Sequence, residues 1–325
     1  MTLPKVGVTL GDPGGIGPEI VVKAFSGRYP LPRANYILFG SRRVIKKEEK
    51  ALGFSLPLRT WRSGLESAQG SLSLREVAAS SQSLVRGAPA RANGQASFRF
   101  FEAAITEARR GNLQAVVTAP ISKKSWGLAG LDWKGHTDYL SQFYPEAIMA
   151  FWSRKLKVAL FTHHLSLREA LRKVRQRNLL RFFLILHQSL EKIRLGGLEF
   201  VVSGLNPHAG EDGLLGREEL DEIIPAIKEA QKLGLQISGP FPPDVVFRST
   251  LGQEDKIVIA LYHDQGLIPF KLQSFGTGVN VSLGLPFVRT SPDHGTAFDI
   301  VGKKAASPRS FIEAIKLAVA LAAAA

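Results

Sequence analysis

The chain has 325 residues, 45% hydrophobic and 22% charged, with no cysteine and a formal net charge of +14. That length fills two ordinary domains or one large one, and the absence of thiols excludes disulfides and thiolate metal sites, as in a reducing cytoplasm. No charge-free apolar run is long enough to span a bilayer, since Phe311–Ala325 carries Glu313 and Lys316, and MTLPKVGVTLGD lacks a signal-peptide pattern. We therefore expect a cytoplasmic protein with no membrane partner. The positive charge suits nucleic acid or phosphorylated and carboxylated small molecules. The basic residues are scattered, however, and the densest run, LREALRKVRQRNLLR, spaces leucines as an amphipathic helix does. Aromatic residues lie mostly in apolar runs rather than among basic ones, so nucleic acid is not expected.

Lys5–Leu10 reads as a strand, followed by Gly11-Asp12-Pro13-Gly14-Gly15-Ile16-Gly17-Pro18-Glu19 and a helix over Ile20–Phe25. Pro18 suits a first helical turn and Glu19 its positive end. The loop is neither a GxGxxG fingerprint nor a Walker loop, so structural and site-lining roles both stand open. Tyr36–Phe39 is a predicted strand and Ser41–Leu52 a predicted helix. Residues 54–95 read as loops and short strands, with Ser/Gly/Ala-rich stretches at Ser67–Ser73, Ala78–Ser83 and Arg86–Gly94. A helix is predicted over Ala96–Arg109. The strand Gln114–Thr118 runs into Thr118-Ala119-Pro120-Ile121-Ser122-Lys123, either a plain turn or an anion site. Gly135–Leu140 enters a helix on which His136 and Thr137 place donors near the N-terminus.

Ile148–Trp152 and Lys157–Phe161 read as strands, the second ending in Thr162-His163-His164. Adjacent strand residues point to opposite faces, so one of these histidines is expected at any given site. Leu167–Lys192 is predicted helical in two pieces, with His187 packed or on the surface. Glu199–Ser203 is a strand leading to Gly204-Leu205-Asn206-Pro207-His208-Ala209-Gly210-Glu211. Glu218–Leu233 is a helix, and Pro242–Phe247 a rigid turn carrying Asp244. Ile257–Tyr262 is a buried strand ending at His263-Asp264-Gln265-Gly266. Val279–Leu283 and Pro286–Thr290 follow as strands and Ser307–Ala325 as the last helix. Alternating strands and helices predict an α/β fold with a largely parallel sheet. Polar groups at the ends of parallel strands are where such sheets build sites. The stretch Ile259–Lys303 crowds His263, Asp264, Lys271, Asn280, Arg289, Asp293, His294 and Asp299. His164, His208 and His263 each follow an apolar strand. Three imidazoles can hold a divalent ion with positions left open, with Asp244 and Asp264 as supporting carboxylates.

The motifs GDPGGIGPE, TAPISK, GHTDYL, GLNPHAGEDGLLGREE, GPFPPDVVF, YHDQGLIPFK and GVNVSLGLPFVRTSPDHGTAFDIVGK together resemble the 4-hydroxythreonine-4-phosphate dehydrogenase family, from about residue 4 to the C-terminus. The resemblance implies an isocitrate/isopropylmalate dehydrogenase-like fold of two α/β/α three-layer domains with a cleft between them. Residues 1–129 with 268–325 would form the domain carrying the cofactor loop. Residues 130–267 would form a central domain carrying metal histidines and dimer contacts. It implies NAD(P)-linked, metal-dependent oxidation of 4-phosphooxy-L-threonine followed by decarboxylation, in the route to pyridoxal phosphate. His164, His208 and His263 would hold Zn²⁺, Mg²⁺ or Co²⁺, one of them from a second subunit of a homodimer. His136, Thr137, Lys271, Asn280 and Arg289 would contact the phosphorylated substrate. Asp293, His294, Gly295, Thr296 and Asp299 would approach NAD or NADP, and Asp244, Asp264 or a metal-bound water would take the alcohol proton. His163 stands where the family usually has a small hydroxylic residue, and Lys304 where it usually has glycine. Alternatives are a dehydrogenase of 4-phospho-D-threonate or 4-phospho-D-erythronate, a phosphate acyltransferase-like enzyme, and a nucleic-acid-binding protein.

Overall fold

A computed structural model describes residues 3–63, 69–79 and 83–324. Residues 64–68 and 80–82, within the stretches read as loops at Ser67–Ser73 and Ala78–Ser83, lie outside the described residues, as do Met1, Thr2 and Ala325. The described strands are, in chain order, β1 (Lys5–Thr9), β2 (Asn35–Gly40), β3 (Arg59–Thr60), β4 (Leu72–Glu76), β5 (Ala115–Thr118), β6 (Ile148–Trp152), β7 (Lys157–Leu160), β8 (Glu199–Ser203), β9 (Ile237–Phe241), β10 (Lys256–Ala260), β11 (Val279–Leu283) and β12 (Val288–Pro292).

The chain divides into two compact units: residues up to Pro145 with Leu285–Ala324, and Glu146–Gly284. Both bounds fall later than residues 129/130 and 267/268. His136 and Thr137 therefore lie in the first unit, and Lys271 and Asn280 in the second.

In the first unit the strands run β3-β4-β2-β1-β5-β12, every neighbouring pair parallel. β1, β2 and β5 are almost wholly buried, as expected of β-branched strands covered on both faces. Helix Arg91–Arg109 packs on β1, β2 and β5, and helix Arg309–Ala324 on β5 and β12. Its apolar side chains Phe311, Ile312 and Ile315 are buried, each contributing roughly 1.5–3 kcal/mol.

In the second unit the order is β11-β6-β7-β10-β8-β9. β7, β10, β8 and β9 pair in parallel, whereas β6 is antiparallel to both β7 and β11. The cause is connection length: Ser153 N–H donates to Leu156 O at 3.0 Å, and so short a link makes a hairpin where a parallel crossover needs a dozen residues. The core gathers Phe151, Leu160, Val201, Phe247, Val258 and Phe270. Among the described residues no helix is long and apolar enough to cross a membrane.

The strand end at His263 opens a helix, His263–Ser274, which continues through Pro269. The stretch read as a rigid turn at Pro242–Phe247 is another helix, Pro243–Ser249, with proline in its first turn. Proline at that first position loses no helical hydrogen bond.

Candidate active site

In the second unit the site forms at the ends of β7 and β10. Phe161 N–H donates to Ala260 O at 2.8 Å, and Thr162 Oγ1 to Leu261 O at 2.7 Å, so the segments beyond the two strands are fastened together. His263 opens the helix His263–Ser274. Its Nδ1 lies 2.6 Å from Asp264 Oδ1. With that nitrogen donating, Nε2 keeps its lone pair for a ligand, the arrangement by which carboxylates orient metal-binding imidazoles. The rings of His164 and His263 are 5.9 Å apart, and those of His163 and His164 are 5.2 Å apart and nearly perpendicular.

All three histidines border one cavity of about 240 Å³, with Tyr262 and Asp264. Strand alternation predicts only one of the adjacent pair here. It does not apply, because both residues lie past the end of β7 and His164 takes a left-handed backbone, φ 52°. A second cavity of about 560 Å³ is bordered by Asp244, Arg248, Tyr262, Asp264 and Gln265. Both candidate proton acceptors therefore border it, and Asp264 borders the two cavities. His164 and His263 offer two nitrogen donors, which suit Zn²⁺ or Co²⁺ better than Mg²⁺, while Asp264 is engaged on His263 and does not complete a set of three.

His208 stands elsewhere. Among the described residues, no group of three or more His, Cys, Asp or Glu gathers to hold a metal. His208 is exposed, at the start of an unusual turn. His208, Ala209, Gly210, Glu211 and Asp212 all have left-handed φ/ψ, and Gly213 a φ of 93°. Such a conformation costs about 1–2 kcal/mol at each non-glycine residue. Glu219, 1% exposed, braces the approach to it: Oε1 accepts from Leu205 N–H at 2.7 Å and Asn206 N–H at 2.8 Å, and Oε2 from Asn206 Nδ2 at 2.8 Å. Buried Gln265 links this loop to the His263 segment, since Nε2 donates to Gly204 O and Oε1 accepts from Leu261 N–H, each at 2.7 Å. Lys271 is exposed on the helix that His263 opens, and half-buried Asn280 sits on β11 opposite Phe151.

In the first unit Arg289 of β12 is buried. Its Nη2 donates to Thr118 Oγ1 at 2.6 Å and to His136 Nδ1 at 3.0 Å. Burial draws the guanidinium down to about 10, which leaves it charged at neutral pH. Burial, then the Arg289 charge, hold His136 well below its ordinary 6.5, so the ring is neutral. With Nδ1 accepting, the proton sits on Nε2, a buried atom with no protein partner. That N–H can donate to an anion. The ring is fixed against Phe101, 4.5 Å between centroids, and Trp126, 5.6 Å. Half-buried Thr137 follows it in the same short helix.

The segment Asp293–Asp299 leaves His294, Gly295 and Asp299 exposed, a polar loop whose imidazole, carboxylate and backbone groups fit a ribose or amide. The glycine-rich corner 11–19 supports it from behind. Gly14 N–H donates to Asp12 Oδ1 at 2.8 Å, Gly15 N–H to Asp12 O at 3.0 Å, and Ile16 N–H to Thr296 O at 3.0 Å. A side chain on Gly15 would meet Thr296 Cβ at 2.8 Å. These amides are spent within the protein, so the corner is a support for the loop. Lys23 Nζ donates to Lys304 O and Ala306 O, both at 2.8 Å, and Lys304 takes a left-handed φ of 58°.

Thr118, Glu219, Tyr262 and Gln265 were not expected site residues. The polar strand ends carried a signal for Thr118 and Gln265, whereas Glu219 acts through contacts distant in sequence and Tyr262 through a cavity wall.

Residues 32–318 match the family described as pyridoxal phosphate biosynthetic protein PdxA. The chain is 39% identical to 4-hydroxythreonine-4-phosphate dehydrogenase of Aquifex aeolicus, over 96% of this chain and 97% of that one. It is 36% identical to a putative D-threonate 4-phosphate dehydrogenase of Oceanobacillus iheyensis, over 98% of each. The crystal structure of 4-hydroxythreonine-4-phosphate dehydrogenase from Klebsiella pneumoniae superposes with a TM-score of 0.86 at 34% identity, covering 98% of this chain and 99% of that one.

Proposed function

The chain belongs to the PdxA family of pyridoxal phosphate biosynthetic proteins, and on that footing we propose that it is an NAD(P)-linked, divalent-metal-dependent 4-hydroxythreonine-4-phosphate dehydrogenase. It oxidises the 3-hydroxyl of 4-phosphooxy-L-threonine to 2-amino-3-oxo-4-phosphooxybutanoate, passing hydride to NAD⁺ or NADP⁺ and the proton to a base. The product loses CO₂ to give 3-amino-2-oxopropyl phosphate.

The observation that carries this assignment is the buried pair of neutral His136 and charged Arg289. Its Nε2–H lacks a protein acceptor, beside a guanidinium oriented by Thr118. Phosphate oxygens are the acceptors such a pair suits, and His136, Thr137, Lys271, Asn280 and Arg289 take that role. A phosphate held away from the reacting carbon supplies binding energy for orientation. His164 and His263, with His208 from a second copy of the chain, would hold the ion, which would supply Lewis acidity toward the substrate's hydroxyl and ketone oxygens. Asp264 orients His263, and Asp244 or Asp264 accepts the alcohol proton. Asp293, His294, Gly295, Thr296 and Asp299 approach the dinucleotide.

A homodimer is supported by large exposed apolar side chains on the second unit, Leu214 at 79%, Leu272 at 78% and Phe275 at 93%. We place the enzyme in the cytoplasm, with no nucleic-acid or membrane partner.

The test is NADH or NADPH formation by purified protein given 4-phosphooxy-L-threonine and divalent metal, abolished by a chelator. No reduced dinucleotide under those conditions would sink the assignment. The second reading, oxidation of 4-phospho-D-threonate, is favoured by the similarity to the Oceanobacillus iheyensis protein. The same assay with that substrate decides between them.

A further inference from the structure

We propose that Glu219 is a positioning residue for His208, presenting that imidazole to the divalent ion by holding the left-handed turn in shape. The inference rests on His208 being a ligand, as proposed above.

Three observations converge on Glu219. First, its carboxylate is buried and is committed entirely to the loop in front of His208: both oxygens accept from Leu205 and Asn206. Second, the turn closes against it. A side chain at Gly210, φ 84°, would meet Glu219 Oε2 at 2.9 Å and Gly216 O at 3.1 Å, so only glycine leaves room for the carboxylate. Third, Glu219 opens a π-helical turn over Glu219–Ile223, a rare departure that marks functional positions more often than plain helix does.

Backbone bonds that close the turn include Ala209 N–H to Asn206 O at 3.1 Å, Leu214 N–H to Glu211 O at 3.0 Å and Leu215 N–H to Gly210 O at 3.0 Å. A run of left-handed residues persists only when its surroundings over-determine it. Glu219 supplies that from one side and Asn206 relays it. Asn206 Nδ2 also donates to Glu218 Oε2 at 2.8 Å, a bond that draws the Glu218 carboxyl below its ordinary value.

The chemistry separates presentation from simple stability. Glu219→Gln keeps an oxygen for the two backbone amides but turns an NH₂ toward Asn206 Nδ2, donor against donor. Loss of a residue that orients a metal-binding imidazole lowers affinity by about 10–100-fold. The full chain, stripped of metal, is titrated with Co²⁺ and followed by its visible absorption, which reports ligand number and geometry. Amide hydrogen exchange on the metal-free protein follows Leu205 and Asn206. Wild-type protein is expected to bind Co²⁺. Glu219→Gln should bind it 10–100-fold more weakly with an altered spectrum, and His208→Ala at least as weakly. The double variant should be no weaker than His208→Ala alone, because both changes remove one contribution. Asn206→Ala should give a smaller loss in the same direction and replaces Glu219→Gln if the latter does not fold.

Co²⁺ affinity and spectrum unchanged in Glu219→Gln, or losses that add in the double variant, would overturn the proposal. If wild-type protein binds no Co²⁺, the metal assignment falls and the role of Glu219 falls with it. Wild-type binding together with an indifferent Glu219→Gln leaves the dehydrogenase standing and removes this inference alone.

Discussion

Arg289, Thr118 and His136 show how a charged residue inside a protein is held by hydrogen bonds to neutral groups. The guanidinium has a hydroxyl and an imidazole nitrogen as acceptors, and a buried charge short of an acceptor is expensive. Thr118→Val keeps the shape and removes the oxygen. It should destabilise by about 1.5–3 kcal/mol in chemical denaturation and raise KM for the phosphorylated substrate more than it lowers kcat, with Thr118→Ser restoring both. His136 adds a pH dependence. Its folded value is depressed, so below the ordinary 6.5 the unfolded chain takes the proton more readily than the folded one. Its stabilising contribution is complete above that pH and is lost as pH falls toward the folded value. The melting temperature should fall from pH 7 to pH 5, and His136→Gln should fall less steeply. At this scale the sequence displayed His164, His263 and Arg289 because each follows an apolar run. Thr118 was visible only as a polar strand end. Its partner lies 171 residues away, and no local pattern encodes that pairing.

Elements transmit packing to these side chains. Gly266 lies one turn into the helix that His263 opens, and a Cβ there would meet Leu160, Ala260 and Val158 at 2.8–2.9 Å. The helix therefore rides directly on β7 and β10. Gly266→Val should cost about 1–3 kcal/mol by overpacking and weaken metal binding together with stability, measured by denaturation and by Co²⁺ titration. The strands were legible because buried parallel strands read as continuous apolar runs. This helix was not. Gly266 and Pro269 interrupt it, its apolar residues do not keep to one face, and propensity opposes it. The left-handed turn at His208 was beyond reach for a related reason: Ala209, Glu211 and Asp212 have no preference for that backbone, and tertiary contacts impose it.

For the whole molecule, alternation of strands and helices was enough to read an α/β fold. The two compact units interleave in sequence, with Leu285–Ala324 returning to the first. That return left no mark in composition, since no linker separates the parts. Nor did alternation alone reveal the reversal of β6, which depends on the brevity of one link. Assembly is testable at this scale. Leu272→Asp with Phe275→Asp puts charge on side chains 78% and 93% exposed in the single chain, where the fold itself loses little. Sedimentation should show a monomer in place of a dimer, with activity lost while the circular dichroism spectrum is kept. A dimer that survives both changes would place the contact elsewhere.

The Gln265 carboxamide touches two backbone groups, Gly204 O and Leu261 N–H, on the loops that lead to His208 and to His263. An imidazole captured on one loop thereby restrains the other, and through a second copy of the chain this restraint would reach both centres. Occupancy would then rise more steeply with ion concentration than independent filling allows, and a Gln265→Leu protein would show two uncoupled binding events.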